Sequence, residues 1–357
     1  MVRTSGYPVR ATSLSALALL AALSVAAPAR ATELVDNDKA QCPTAAHTTI
    51  QAGVDAASPR EVVEVCNGVY PEQVSITDAG KDGVRLRARV VHGATIKAPP
   101  NSGGPIVKVE DADGVEVSRF RLVGPFTGPG GVGCPPGEGT GSHAVLVTGN
   151  FNASINAQVL DNSIDQTIAP AGEGCPGFFG FGVEVTNGSR ARVGNNTIDE
   201  FGFNGIAVTS GAKGVLDHNV ITGGAVGVNS FSEARLDLNS SRISGTDIGV
   251  FLERNHSPGT TVLSNRIFDN RIGIAMHEQL GAELNNNRVF ANAEQGIFVN
   301  AASNGNLIRM NDFRGNGGTD CFDASGSGRP GYPYFTTGNK WGPNRGLEAT
   351  PAGICTP

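Results

Sequence analysis

Short runs of alternating apolar and polar residues recur along this chain at a nearly constant interval. A glycine followed by alternating apolar residues returns every 22 to 24 residues, at Gly182, Gly205, Gly227, Gly249, Gly273 and Gly296. A second pattern, an Asn or Ser two residues before an apolar residue, runs in step with the first from Asn196 onward, at Asn162, Asn196, Asn219, Ser241, Asn265, Asn287 and Asn311. Such alternation, bounded by Gly and Asn, predicts short β-strands joined by tight turns.

This interval is the length of one coil of a parallel β-helix. It is too short for paired-helix repeats, and the leucine pattern of leucine-rich repeats is absent. In a β-helix each coil lays its strands on those of the coil before, about 4.8 Å away, so inward Val, Ile and Leu form a continuous core. Asn at a bend tolerates left-handed backbone and bonds along a ladder of turns. We therefore predict an all-β fold, a single-stranded right-handed parallel β-helix (solenoid).

The entry segment of the chain carries a further similarity. It reads Thr49-Ile50-Gln51-Ala52, then Val54-Asp55-Ala56-Ala57, then Gly68-Val69-Tyr70-Pro71-Glu72-Gln73-Val74-Ser75-Ile76. Together with the repeat, it resembles the secreted right-handed β-helix proteins of the pectin-lyase-like superfamily, over roughly residues 48–320. Lyases, hydrolases, esterases, epimerases and non-enzymes share that scaffold, so the resemblance implies the fold and leaves the activity open.

The first 31 residues have the pattern of a secretory signal peptide. Arg3 and Arg10 give a basic start, an apolar stretch follows over residues 14–27, and Ala29-Arg30-Ala31 matches an A-x-A cleavage site. No later apolar run is long enough to span a bilayer. We therefore expect a secreted, extracellular protein without a membrane span, whose mature chain starts near Thr32.

The rest of the chain divides by its pattern. Residues 32–60 are expected to be an exposed leader with Cys42 and an N-terminal cap, a short helix over residues 48–57 that covers the open end of the core. The repeats occupy residues 61–320, and residues 321–357 form an irregular, disulfide-closed C-terminal cap. Two Gly/Pro-rich insertions, at residues 125–141 and 169–180, are expected to leave the same corner one coil apart.

Composition and charge narrow the class of partner. The chain has 49 Gly and 28 Asn but only 6% aromatic residues, which disfavours a helical bundle. Without the signal peptide, 24 basic residues face 33 acidic ones, a net charge of −9. This balance disfavours nucleic acid as a partner. A local arginine patch for an acidic glycan stays open, since 21 of the 27 basic residues are Arg. We expect a monomer.

Six cysteines in an exported chain predict disulfides rather than a metal site. Of the 15 connectivities that six cysteines allow, we predict the sequence-local pairs Cys42–Cys66, Cys134–Cys175 and Cys321–Cys355. No C-x-x-C or H-E-x-x-H motif occurs, so no metal ligands and no cofactor are predicted. Calcium stays open, although no motif such as a cluster of three Asp on neighbouring coils supports a site for it.

The candidate site follows from the outward positions of the glycine-initiated strands, which stack across coils. One outward column is Glu184, Ala207, Asn229, Phe251, Ala275 and Phe298; the next is Thr186, a Ser or Thr at 209–210, Phe231, Glu253, His277 and Asn300. Glu253 and His277, with Arg254, are the predicted catalytic residues, because a carboxylate beside an imidazole serves as general acid and base. The predicted substrate-binding residues are Asn229, Phe231, Phe251, Phe298 and Asn300.

We therefore expect this protein to interact with an extracellular polysaccharide. If it is an enzyme, it is a lyase, hydrolase or epimerase that uses Glu253, His277 and Arg254. The alternative is a non-catalytic carbohydrate-binding or cell-surface repeat protein, whose outward residues are solvent-exposed and have no catalytic role. The sequence motifs of polygalacturonases, pectin esterases and alginate epimerases are missing, which favours the alternative, whereas the resemblance favours the enzyme.

Overall fold

A computed structural model of the chain describes residues 32–99, 104–124, 142–151, 155–165, 180–325 and 338–357. The predicted signal peptide, most of the two insertions, and both Cys134 and Cys175 lie outside the described residues. The one α-helix of the described residues is α1 (Ile50–Ala56), and a 3₁₀ turn spans Ala79–Lys81. Nearly all other regular structure is β-strand, numbered below in chain order.

The strands form three long parallel sheets. Sheet A, with twelve strands, consists of β1 (Thr32–Val35), β2 (Val62–Val65), β5 (Arg85–Ala88), β8 (Val115–Ser118), β11 (Asn156–Leu160), β14 (Arg190–Gly194), β17 (Lys213–Asp217), β20 (Arg235–Asn239), β23 (Thr261–Leu263), β26 (Glu283–Asn285), β29 (Leu307–Arg309) and β31 (Lys340–Trp341). Sheet B, with nine, consists of β3 (Gly68–Tyr70), β6 (Ala94–Lys97), β9 (Arg121–Val123), β12 (Ser163–Asp165), β15 (Thr197–Asp199), β18 (Val220–Thr222), β21 (Arg242–Ser244), β24 (Arg266–Phe268) and β27 (Arg288–Phe290). Sheet C, with eleven, consists of β4 (Val74–Thr77), β7 (Val107–Glu110), β10 (Ser142–Thr148), β13 (Gly180–Thr186), β16 (Asn204–Thr209), β19 (Val226–Phe231), β22 (Ile248–Glu253), β25 (Ile272–His277), β28 (Ile297–Val299), β30 (Cys321–Asp323) and β32 (Ala349–Thr350).

Each strand pairs with the strand one coil away, so the chain is a parallel β-helix, as the repeat predicts. The inward columns are apolar and fully buried. In sheet C one of them runs Val183, Ile206, Val228, Val250, Ile274 and Ile297. The repeating glycine is explained by close packing between coils: a Cβ at Gly249 would lie 2.6 Å from both the Gly273 carbonyl oxygen and a methyl group of Ile267.

Buried asparagines form the predicted ladder at the bend between sheets A and B. The backbone N–H of Asn265 donates to Oδ1 of Asn287 (2.9 Å), and its Nδ2 donates to the Leu238 carbonyl (3.1 Å). The ladder runs through Asn162, Asn196, Asn219, Ser241, Asn265, Asn287, Asn311 and Asn344. Our expectation of left-handed backbone at these asparagines was wrong by one residue: the positive φ belongs to the preceding residue, such as Ser264 (57°) or Asn286 (57°). The asparagines serve instead as buried donors and acceptors.

The N-terminal end differs from the expected exposed leader. β1 is the first strand of sheet A and pairs with β2. Its last residue, Val35, is fully buried in the core. The cap helix α1 is present, with Thr49 as its N-cap and the Glu72 carboxylate accepting the backbone N–H groups of Ile50 and Gln51 (2.8 and 2.9 Å). The disulfide Cys42–Cys66 ties this end to the first coil, as predicted.

The C-terminal tail is also more regular than expected. We expected an irregular cap from residue 321, but β30, β31 and β32 continue sheets C and A for a further coil. Asn344 extends the asparagine ladder there, since its Oδ1 accepts the Asn311 N–H at 3.0 Å. The predicted disulfide Cys321–Cys355 closes this end. No helix among the described residues is long and apolar enough to cross a membrane.

Candidate functional site: the outer face of sheet C

The outward columns of sheet C have the register that the sequence predicts. Glu184, Ala207, Asn229, Phe251, Ala275 and Phe298 lie opposite one another on successive strands. In the second column Phe231 pairs with Glu253, and Glu253 with His277. The columns therefore place the predicted side chains on one face.

An aromatic row covers the C-terminal part of this face. We define it as Phe251, His277, Phe298 and Phe322. The His277 ring packs edge-to-face between Phe251 (5.0 Å between centroids) and Phe298 (5.6 Å), and Phe298 stacks on Phe322 (5.3 Å). Ala275 lies opposite both Phe251 and Phe298, between which the His277 ring packs, and it is only 1% exposed although it points outward.

Glu253 and His277 are neighbours without being partners. Among the described residues they share no hydrogen bond or ion pair. The Glu253 carboxylate instead faces Arg254 (3.8 Å), which also lies 3.8 Å from Glu278 and 5.8 Å above the ring of Phe231. The two residues of the predicted acid–base pair are therefore opposite each other on adjacent strands, but their side chains do not contact each other through a hydrogen bond.

The other predicted binding residues differ in availability. Phe231 is half-buried under Arg254. Asn229 is 8% exposed, and its Oδ1 has no hydrogen-bond partner in the described part of the chain. Asn300 is engaged in its own bend, where its Oδ1 accepts the backbone N–H groups of Glu278 (3.1 Å) and Ala302 (3.2 Å). Asn229 is therefore mostly covered, whereas the Asn300 side-chain carbonyl oxygen is already occupied by the backbone.

An assembled imidazole–carboxylate pair lies three coils away on the same face, and the sequence analysis missed it. Nε2 of His143 lies 2.6 Å from Oε2 of Glu184, and the hydroxyl of Thr209 donates to the other carboxylate oxygen (3.0 Å). Both partners are mostly buried, with side chains 10% and 16% exposed. The His143 ring stacks on Phe181 at 4.7 Å.

The geometry fixes the role of each group in this pair. In the tautomer in which Nε2 of His143 donates to the Glu184 carboxylate, Nδ1 is the ring nitrogen that remains an acceptor. Nδ1 is buried and makes no hydrogen bond within the described residues. The sequence carries little signal for this pair, because His143 lies opposite Phe181 rather than Glu184 and an insertion separates the two strands along the chain.

The described residues offer little for a metal ion. One cluster of three potential ligands is present among them, Asp36, Cys42 and Cys66. Its two sulfur atoms are joined in a disulfide, and the Asp36 carboxylate already accepts the N–H groups of Gln41 (3.0 Å) and Cys42 (2.6 Å). This cluster is a structural anchor of the N-terminal end.

Solved structures share this architecture at low sequence identity. The A-module of the mannuronan C-5 epimerase AlgE4 from Azotobacter vinelandii is 16% identical, with a TM-score of 0.57 over 75% of this chain and 73% of that one. XylC in complex with xylose is 13% identical, with a TM-score of 0.59 over 81% and 70%. The enzymatically active domain of tailspike protein 2 from bacteriophage CBA120 is 12% identical, with a TM-score of 0.53 over 83% and 44%. At these identities the likeness shows the fold alone.

Family membership follows from the sequence match. No curated protein sequence matches the chain. The family described as the right handed beta helix region matches residues 143–327, which is more than half of the chain and includes the three coils from His143 to Asn229 and the whole aromatic row. The chain therefore belongs to the right-handed β-helix family.

Proposed function

We propose that this protein binds a polysaccharide along the outer face of sheet C. The observation that carries the proposal is the aromatic row, which runs beside Glu253, Arg254 and Asn229 on a rigid wall. Aromatic edges and faces contact the apolar faces of sugar rings, while carboxylate, guanidinium and amide groups bond their hydroxyls. Coils repeat about every 4.8 Å, so the wall offers a linear polymer a series of similar contacts.

Three solved structures support this proposal by analogy. A mannuronan epimerase, a protein bound to xylose and an enzymatically active tailspike domain all have this architecture. Two of the names specify a carbohydrate. The two disulfides of the described chain suit an oxidising compartment, so we propose that the protein is exported and meets its glycan outside the cytoplasm.

A second candidate function, catalysis by proton transfer, is favoured by the His143–Glu184 pair. In many general-base sites a carboxylate orients the imidazole by bonding one of its two nitrogens. The predicted trio Glu253, His277 and Arg254 remains the alternative centre. The pairing of His143 with Glu184 favours that pair, since Glu253 and His277 engage other groups.

Binding is tested with a glycan array and two matched variants. We expect Phe251→Ala with Phe298→Ala to abolish or strongly weaken the glycan hits of the wild type. Phe151→Ala is the control, because Phe151 is 71% exposed and lies outside the row. Loss of binding in the control, or full binding in the row variant, would count against the row as the binding surface.

Catalysis is tested by incubating the protein with the polysaccharides that bind. Unsaturated products, new reducing ends and epimerised residues distinguish lyase, hydrolase and epimerase. If turnover occurs, we expect Glu184→Gln to reduce kcat by about 100-fold or more while KM changes little. Equal turnover in Glu184→Gln, with loss in Glu253→Gln, would assign the chemistry to the sequence-predicted trio.

A further inference from the structure

The outer face of sheet B carries a column of arginines that the proposed glycan face does not include. Arg242, Arg266 and Arg288 lie opposite one another on the consecutive strands β21, β24 and β27. All three side chains are exposed. Because neighbouring strands lie about 4.8 Å apart, the three guanidinium groups follow one another along the helix axis.

These arginines have no acidic partner in the described part of the chain. Within the described residues none of the three forms an ion pair, whereas Arg121, in the same column of the sheet, pairs with Asp165 at 3.0 Å. Asp312 lies opposite Arg288 on the next coil, but its carboxylate binds Arg314. Like charges directly opposite each other destabilise a sheet unless an anion neutralises them.

Aromatic rings hold the guanidinium groups in place. Phe268 and Phe290 occupy the next outward column of the same strands and stack on each other at 5.3 Å. Arg242 lies 5.1 Å above Phe268, and Arg288 lies 4.5 Å above Phe290, with Arg266 at 5.8 Å. A guanidinium fixed over a ring still presents its N–H groups to an oxyanion, so the column is ordered before a ligand arrives.

We infer that this arginine column binds a linear acidic polysaccharide, with the polymer running parallel to the helix axis. Each coil offers one guanidinium, and each guanidinium bonds a carboxylate or sulfate oxygen pair in a bidentate manner. The net charge of the chain, −6, disfavours general polyanion binding, so the attraction is local to this column. The inference goes beyond the proposed function because it concerns a different face and a charged ligand.

The test compares dextran sulfate with neutral dextran of the same length. We expect wild-type protein to bind dextran sulfate, more weakly at higher salt, and not to bind dextran. The triple variant Arg242→Gln, Arg266→Gln and Arg288→Gln should bind dextran sulfate at least about tenfold more weakly. A charge-matched control replaces three ion-paired arginines, Arg121, Arg192 and Arg309, by Gln; it should retain wild-type affinity.

The outcomes separate this inference from its competitors. Equal losses in the two triple variants would overturn it, because net charge alone would then explain the binding. Equally tight binding of single-stranded DNA, with the same arginine dependence, would overturn the polysaccharide assignment. The variant with Phe251→Ala and Phe298→Ala should keep its affinity for dextran sulfate, so failure of the aromatic row leaves this result interpretable. Melting temperatures within a few degrees of wild type confirm that every variant is folded.

Discussion

Two His–Glu neighbours on the outer face of sheet C show how little backbone proximity says about side-chain chemistry. Glu253 and His277 lie directly opposite each other on adjacent strands, yet their side chains are not paired. His143 and Glu184 are not opposite, because His143 faces Phe181 across the strands, but their side chains are 2.6 Å apart. Neighbouring charged and aromatic side chains therefore decide which ion pairs form on the outer face of a β-helix.

The competing partners can be named in each region. Arg254 competes for the Glu253 carboxylate, which lies 3.8 Å from its guanidinium. The rings of Phe251 and Phe298 pack on both sides of the His277 imidazole. Around His143 the stacked ring of Phe181 holds the imidazole, and Thr209 bonds the free carboxylate oxygen. The imidazole is packed against aromatic rings in both regions, but only His143 also contacts the carboxylate of its Glu neighbour.

The substitution with the largest expected effect is Ile274→Asp, which tests which side chains of the Glu253–His277 region face the core. Ile274 is fully buried in an inward column. Ile274→Asp places an unpaired carboxylate there and should cost more than about 4 kcal/mol, enough to prevent folding. Yield of folded, exported protein and its unfolding free energy check this. Normal folding would mean that the strand faces are assigned the wrong way round.

A pair of double-mutant cycles compares the two regions directly. The cycle of His143→Asn and Glu184→Gln should give a coupling energy of about 1.5–3 kcal/mol, as for a hydrogen bond to a charged group. The cycle of His277→Asn and Glu253→Gln should lie within about 0.5 kcal/mol of zero. Urea unfolding of the seven proteins, the wild type being common to both cycles, provides both values. Similar couplings would remove the distinction between the regions.

The aromatic row makes a smaller and more specific prediction. Because Ala275 is buried between Phe251 and Phe298, Ala275→Asp should destabilise the protein by about 1–2 kcal/mol. From the sequence alone, an outward alanine would be expected to tolerate Asp at a cost below about 1 kcal/mol. Ala301→Asp, at an exposed bend, is the control and should change the free energy of unfolding by less than about 0.5 kcal/mol. Equal effects of the two substitutions would show that neighbouring side chains do not cover Ala275.

The smallest expected effect is a pH dependence at the bend that precedes β22 and β25. Two hydrogen bonds from Arg271 hold the pKa of Asp247 below its usual value of 3.8. A carboxyl group with a lowered folded-state pKa stabilises the fold above about pH 4, and this contribution is lost as the pH falls through the folded-state pKa. Both side chains are largely exposed, so solvent screening keeps the contribution under about 0.5 kcal/mol. Arg271→Gln should flatten the pH dependence of stability between about pH 4 and pH 2; an unchanged profile would argue against the pair.

The sequence predicts the backbone of this protein better than its surface chemistry. The glycine and asparagine intervals place Val250, Ile274 and Ile297 in one inward column and predict the outward columns correctly, because a parallel stack has a fixed register. The intervals do not predict the conformation of a long side chain or its hydrogen-bond partner, because both depend on all the neighbouring side chains. The Glu253–His277 site prediction therefore remains a proposal without an assembled side-chain pair.

Two further features were missed for different reasons. His143 and Glu184 are 41 residues apart, with an insertion between them that breaks the regular interval. The arginine column is visible in the sequence, since Arg follows the Ser or Asn in Ser241-Arg242-Ile243, Asn265-Arg266-Ile267 and Asn287-Arg288-Val289. The lack of acidic partners, in contrast, becomes apparent only when the coils are stacked.

The most direct test of the central claim, that His143 and Glu184 form the organised imidazole–carboxylate pair of this face, is an NMR spectrum of the histidine side chains. We expect a slowly exchanging, strongly deshielded imidazole N–H signal from His143, because its Nε2 donates to a mostly buried carboxylate. The signal should disappear in both His143→Asn and Glu184→Gln and persist in His277→Asn and Glu253→Gln. A signal that survives Glu184→Gln but is lost in Glu253→Gln would contradict the account.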